Sequence, residues 1–329
     1  MSRAWLRRVM TCGGVIIGAL VLLILAPIWI VVCVVIDVFS RKWRFPTLRL
    51  IAFALCWTWL ESAGVIASFF LWIFGQGKNV KAHYALQRWW AAQLIRSLRL
   101  TCGLKIEVSG ADEVGDGPLV CFGRHASLGD ALVSAWIFGS LTRRYPRYVM
   151  KKELLADPCL DIVGQRIPNY FVDRGSAAVR QELVGIRTMA AGLGDRDVAV
   201  IFPEGTRAND KRRTALVERL EKRAPDRYAL FREANFVLPP RPAGATALLE
   251  EVPTANVVLL WHVGFDGLDS FGGILRRLSI KEPAAHVTLE LIPRESVPSG
   301  DAFVTWLDER WMEIDEKVKQ AYLSRQGES

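Results

Sequence analysis

The chain has 329 residues, 51% of them apolar, with a formal charge of +8 and a mean hydropathy of +0.20. That length is ample for a buried core, as one large domain or two ordinary ones, and the hydropathy is high for a purely soluble protein. The basic balance points to anionic partners. The sequence holds no zinc-finger, RNP or basic-zipper pattern, so nucleic acid is set aside in favour of an anionic bilayer.

Residues 11–36 form an uncharged run. Crossing a bilayer core takes roughly 20 residues. The run also exceeds the roughly 7–15 residues of a signal-peptide core, and no small-residue cleavage site follows it, so a retained anchor is expected. Residues 50–74 form a second apolar run with Glu61 near its middle. An isolated charge at the bilayer centre costs at least ~2.5 kcal/mol. Glu61 is therefore expected to face protein or the interface, or the segment stops short of crossing. Basic residues flank both runs: Arg3, Arg7 and Arg8; Arg41, Lys42, Arg44 and Arg49; Lys78, Lys81 and Arg88. The positive-inside rule therefore leaves orientation open. A hairpin dipping into one leaflet and a double crossing both put the N-terminus and the main domain on one side. The expected division is a membrane anchor of two apolar helices over 1–78 and a main domain over 79–329.

In the main domain, residues 79–100 carry Tyr84, Leu86, Trp89, Trp90, Leu94 and Leu98 at helical spacing. The paired tryptophans suit either a membrane interface or a core face. Strands are expected over 104–108, 118–122, 148–150, 169–172, 198–202, 257–263 and 285–293. Helices are expected over 131–137 and 177–193, with an amphipathic C-terminal helix over 303–323. Strands alternating with helices indicate an α/β sheet domain. The six cysteines, Cys12, Cys33, Cys56, Cys102, Cys121 and Cys159, match no C-x-x-C spacing. They imply a reducing compartment without a disulfide framework.

The second strand runs into Gly123-Arg124-His125-Ala126-Ser127-Leu128-Gly129-Asp130. Histidine is the usual general base near neutral pH, and a carboxylate partner fixes its tautomer. Residues five apart lie about 140° around a helix. The two can pair only if His125 ends the strand and Asp130 opens the next helix, with Gly129 easing the turn. Three further blocks follow. Tyr170-Phe171-Val172-Asp173-Arg174-Gly175 puts an arginine, suited to phosphate, at a strand end. Phe202-Pro203-Glu204-Gly205-Thr206-Arg207 leads into Lys211, Arg212 and Arg213, a basic stretch able to hold lipid or coenzyme A phosphates. Val237-Leu238-Pro239-Pro240-Arg241-Pro242-Ala243-Gly244 is read as a rigid loop edging the site. His83, His262 and His286 are isolated and are read as structural or surface residues, and no metal cluster is visible.

In this order and spacing the four blocks resemble the glycerolipid acyltransferase family, whose best-known members are lysophosphatidic acid acyltransferases. The likeness spans about residues 121–244 and includes the H-x4-D pair and a complete F-P-E-G-T-R match. It implies a mixed sheet covered by helices, with the N-terminal helical pair embedded in the membrane. It assigns His125 and Asp130 to catalysis, and Arg174, Glu204, Gly205, Thr206 and Arg207 to the acceptor's phosphate. The implied partners are a lysophospholipid, an acyl thioester on coenzyme A or a carrier protein as co-substrate, and membrane lipids. No cofactor is implied, and the location of acyl-CoA implies a cytoplasmic face. Ser127 is not read as a nucleophile, because the G-x-S-x-G elbow is absent. Backbone N–H groups near Gly205 are expected to help neutralise the oxyanion.

There are two departures. Arg124 stands where the family often has Asn, adding a cation expected to act on the imidazole or on substrate. The second block has Val172-Asp173 where Ile-x is common. Another lysolipid acceptor, a catalytically silent lipid-binding protein and a thioesterase or lipase are the competing readings. The intact His–Asp pair argues against the silent protein, and the missing elbow against the hydrolase.

Overall fold

The computed structural model describes residues 3–173 and 179–327. It opens with α1 (Arg3–Ile24), α2 (Ala26–Phe39) and α3 (Pro46–Ile73). The first apolar run is thus divided at Leu25. Pro27, which carries no N–H, sits in the first turn of α2, and the Trp29 indole donates to the Leu22 carbonyl at 2.7 Å. Asp37, at the end of α2, accepts the Thr47 and Leu48 amides at 3.0 and 3.2 Å, which caps the first turn of α3. By length and composition Ala4–Ile24 and Pro46–Ile73 could each cross a membrane.

α4 (Val80–Cys102) begins at Asn79, whose side chain accepts the Ala82 amide at 3.1 Å, and stops at Gly103 with φ +64°. It lies antiparallel along α3. Arg49 Nε donates to the Thr101 carbonyl at 2.9 Å, and the Trp90 indole donates to Glu61 at 3.0 Å. Near the other end of α3, Arg166 donates to Ser68 Oγ at 2.6 Å and lies 3.2 Å from His83 Nε2. Glu61 is fully buried and also accepts the Cys159 amide at 3.2 Å. It faces protein, as the cost of a lone charge in lipid requires. The two tryptophans separate: Trp90 points inward to Glu61, while Trp89 is exposed. At the start of α1, Arg7 and Arg8 grip the buried Asp161 at 2.9 and 3.2 Å.

The sheet is mixed, as expected. Its elements in chain order are β1 (Lys105–Ser109), β2 (Leu119–Gly123), α5 (Asp130–Trp136), β3 (Tyr145–Lys151), α6 (Pro158–Ile162), β4 (Tyr170–Val172), α7 (Val179–Ala190) and β5 (Asp197–Ile201). They continue with α8 (Asp210–Arg223), α9 (Pro225–Phe231), α10 (Pro242–Glu251), β6 (Asn256–Val263), α11 (Phe271–Ile280), β7 (Ala284–Ile292) and α12 (Asp301–Gly327). The strand order is β1-β7-β6-β2-β5-β3-β4, parallel throughout except for β6 against β7. Central β2 is buried at every residue, which is why it reads as a continuous apolar run. α7, α10 and α12 cover one face through Ile186, Leu248 and Trp311. α4 and α5 cover the other through Ile95 and Val133.

α12 is more than a lid on the core. Asp315 accepts the amides of Asn235, Phe236 and Val237 at 3.0, 2.6 and 3.0 Å, and Asp308 pairs with Arg227 at 2.6 Å. Asp315→Ala would strand these three amides beside the core, where an unmade bond to a buried donor costs about 1–3 kcal/mol. The expected loss of stability is about 2–3 kcal/mol, read from denaturant midpoints of purified variant and wild type in the same detergent.

Candidate active site

The parallel strands β2, β5 and β6 end together, and the loops after them meet there, the usual place for a site in an open α/β sheet. β2 stops at Gly123, and His125 stands two residues beyond it. Asp130 is the first residue of α5. The geometry expected from the five-residue spacing is therefore formed, with His125 Nδ1 2.7 Å from Asp130 Oδ2. Gly129 is not needed for its freedom: its φ of −91° is open to any residue. Gly123 is needed for space, because a Cβ there would stand 2.7 Å from the Phe202 ring. That ring packs on the His125 imidazole with centroids 4.9 Å apart.

Asp130 is fully enclosed. Its Oδ2 also accepts the Ala126 and Ser127 amides at 2.7 and 2.8 Å, and its Oδ1 accepts the Ser127 hydroxyl. Ser127 is thereby turned onto the carboxylate and is not placed as a nucleophile. Burial works to raise the Asp130 pKa, but the imidazoles of His262 and His125 more than offset it and hold the carboxyl well below the usual range. With Asp130 ionised, the shared proton belongs on Nδ1 of His125. The His125 side chain is 21% exposed, and among the described residues Nε2 has no hydrogen-bond partner.

The second histidine on Asp130 was not foreseen. His262, near the end of β6, lies with Nε2 3.2 Å from Asp130 Oδ1, and is buried. It belongs to no motif and is remote in sequence; only the pairing of β6 beside β2 brings it here.

Glu204 is completely buried behind the site. Its Oε1 accepts the His125 amide at 3.1 Å and the Trp311 indole at 3.3 Å. It braces the backbone of the histidine instead of lining the open face. The Gly205 amide is occupied by the Phe202 carbonyl at 3.0 Å, in a turn that uses φ +74°. That amide is therefore not itself free for an oxyanion. Thr206 and Arg207 are half-buried. They precede Ala208, whose amide donates to the His125 carbonyl at 2.6 Å and pins this loop to the histidine loop. Arg174 lies outside the described residues. The proline block is a loop only as far as Arg241, which donates its amide to Pro203 at 2.9 Å; α10 begins at Pro242.

Arg124 also departs from expectation. It is fully buried and turned from the open site. Its guanidinium donates to the carbonyls of His262 and Phe236 at 2.7 and 2.9 Å and pairs with Asp266. Burial works to raise the Asp266 pKa, yet the Arg124 charge holds it below the ordinary carboxylate value. Arg124 is thus a structural tie between the loops after β2 and β6. His83 and His286 fit their structural and surface readings: His83 Nδ1 lies 2.8 Å from the Asn79 carbonyl, and His286 Nε2 lies 3.0 Å from the Ser109 hydroxyl.

Beside the pair opens an apolar cleft with a cavity volume of about 200 Å³. Leu128, Ala131, Leu132 and Ala135 line one side, and Trp90, Tyr148, Met150, Leu160 and Gly64 of α3 line the rest. Gly64 is fitted to its place, since a Cβ there would meet Cys159 Sγ at 2.6 Å.

Burial pushes the Glu204 pKa up to about 8, against about 4.3 for a free glutamate. Between these values the folded protein holds a proton that the unfolded chain has lost. This group's contribution is therefore fully present at acid pH and is lost as pH rises toward 8. The slope is about 1.4 kcal/mol per pH unit for one proton. Glu204→Gln should flatten the fall in stability between pH 5 and 8 relative to wild type. Parallel slopes in paired denaturation series would contradict this.

Residues 105–239 match the family described as Acyltransferase. No curated protein matches the chain in sequence. Among solved structures, the 1-acyl-sn-glycerophosphate (LPA) acyltransferase PlsC from Thermotoga maritima is similar at 14% identity and a TM-score of 0.48, over 78% of this chain and 95% of that one. Over residues 105–239, then, the chain is similar to the acyltransferase family.

Proposed function

We propose that the protein transfers a fatty acyl group from an acyl thioester to the free hydroxyl of a lysophospholipid, with lysophosphatidic acid as the first acceptor to test. One observation carries the reading: a His–Asp pair at 2.7 Å whose outer nitrogen is unpartnered among the described residues, beside an apolar cleft. His125 Nε2 takes the proton as the acceptor oxygen attacks the thioester carbonyl. The C–S bond then breaks, and the departing thiolate recovers that proton. Asp130 holds the imidazole and balances its charge; such general-base help is worth about 10²–10⁴-fold.

The cleft fits the acyl chain by its lining. The basic start of α8, Lys211, Arg212 and Arg213, follows directly on the Arg207 loop and suits the phosphates of either substrate. The donor is an acyl thioester of coenzyme A or of a carrier protein. α3 is tied to the domain near both ends, through Arg49 and Ser68. These ties support a helix lying along the domain over one that crosses the bilayer; an acyl-CoA donor would place the domain on the cytoplasmic side.

The test is transfer of labelled acyl from acyl-CoA to lysophosphatidic acid by membranes holding wild type or His125→Ala. Transfer by wild type and a loss of at least 10²-fold in the variant are expected; equal product in both would remove the mechanism. If wild type is silent, a panel of lysolipids with acyl-carrier protein follows, and silence across that panel would sink the reading. Filling the cleft with Ala135→Phe should shift donor preference toward shorter chains, measured as relative kcat/KM across saturated acyl-CoAs of increasing length.

A further inference from the structure

We infer that His262 is a positioning residue for the proposed transfer, holding Oδ1 of Asp130 so that Oδ2 stays aligned on His125 and the carboxylate's charge is shared between two imidazoles. The inference rests on the acyltransfer reading for its kinetic consequence, though not for its geometry.

Asp130 has two oxygens with separate duties. Oδ2 already receives His125 Nδ1 and the Ala126 and Ser127 amides. Among the described residues Oδ1 meets only the Ser127 hydroxyl and, at 3.2 Å, His262 Nε2. His262 is 1% exposed, and neither ring nitrogen makes a well-aligned hydrogen bond among the described residues. A buried imidazole with unpaired nitrogens is costly, and the facing carboxylate is what offsets that cost here. Its position is fixed from several sides. The Phe265 ring packs edge-on with centroids 5.1 Å apart, and Arg124 holds the His262 carbonyl at 2.7 Å.

The charged and titratable groups around this histidine are Asp130 from α5, His125 from the loop after β2, and Arg124 with Asp266. Tyr322 of α12 donates to Asp266 at 2.6 Å, and Glu204 lies beyond His125. His262 draws on the negative charge of Asp130. Without it, more of that charge falls on His125, the imidazolium is favoured, and the base keeps its proton to higher pH. The carboxylate also loses a contact that fixes its rotation.

The experiment uses the full chain in lipid nanodiscs with ¹⁵N-labelled histidine; the sequence has four histidines, which makes the signals assignable. Titrations of the His125 signal are compared in wild type, His262→Leu, His262→Asn and His262→Gln, with His286→Gln as a surface control. Thermal melts identify variants that fail to fold. In the Leu and Asn variants the His125 titration should move to higher pH, while Gln, which keeps an N–H donor of similar reach, restores it and the control does not move. In acyl transfer the Leu and Asn variants should lose roughly tenfold in kcat, about 1.4 kcal/mol of barrier, at little change in KM. The acid limb of their kcat/KM profile should shift to higher pH. A His125 titration unchanged in whichever of the two variants folds would overturn the inference, whatever the activity. A shifted titration in a protein that acylates no lysolipid would leave the His262 coupling standing and sink the acyltransfer reading instead.

Discussion

Asp130 is an anion with no access to water, and the site is organised around meeting that condition. An isolated buried carboxylate would neutralise itself instead of remaining charged. Here two backbone amides, a hydroxyl and two imidazoles converge on it. To bring them there, the chain must stop β2 at Gly123, turn over six residues and begin α5 at the carboxylate itself, where the helix N-terminus also favours negative charge. β6 must also lie beside β2 in the register that carries His262 to the same end of the sheet.

Around this centre lies a second ring of buried polar ties. Arg124 joins the loop after β2 to Asp266 in the loop after β6, and Tyr322 of α12 closes on the same carboxylate. Glu204 supports the His125 amide and is itself held by Trp311. α12 therefore reaches the site at two points while, among the described residues, contributing no group to its open face. Such groups fix geometry more than they add net stability, because each desolvated charge offsets much of what its partner contributes.

The sheet was legible because each buried strand shows as a short apolar run, and β2, β5 and β6 gave the clearest ones. The break at Leu25 was less legible, since Pro27 in an apolar run is compatible with a bent crossing helix as well as with two helices. α8 to α11 were not foreseen; α8 buries no residue, so its pattern carries little apolar signal. The His125–Asp130 pair could be read because its partners are close in sequence and one loop geometry satisfies them. Arg124 was misread because a residue beside a base in sequence need not face the same way. Strand and loop alternate directions, and Asp266, which draws it inward, is far along the chain. His262 escaped for the same reason, since strand pairing and not spacing sets its neighbour.

The grip of Arg7 and Arg8 on Asp161 has a bearing on the order in which the protein is made. Synthesis proceeds from the N-terminus at about 5–20 residues per second, so the arginines emerge many seconds before their partner. During that interval α3, which also precedes α6 and packs on α1 and α2, is available to cover part of their apolar surface. The clasp is therefore a late event: it forms only when α6 has emerged and can close onto helices that were made long before it.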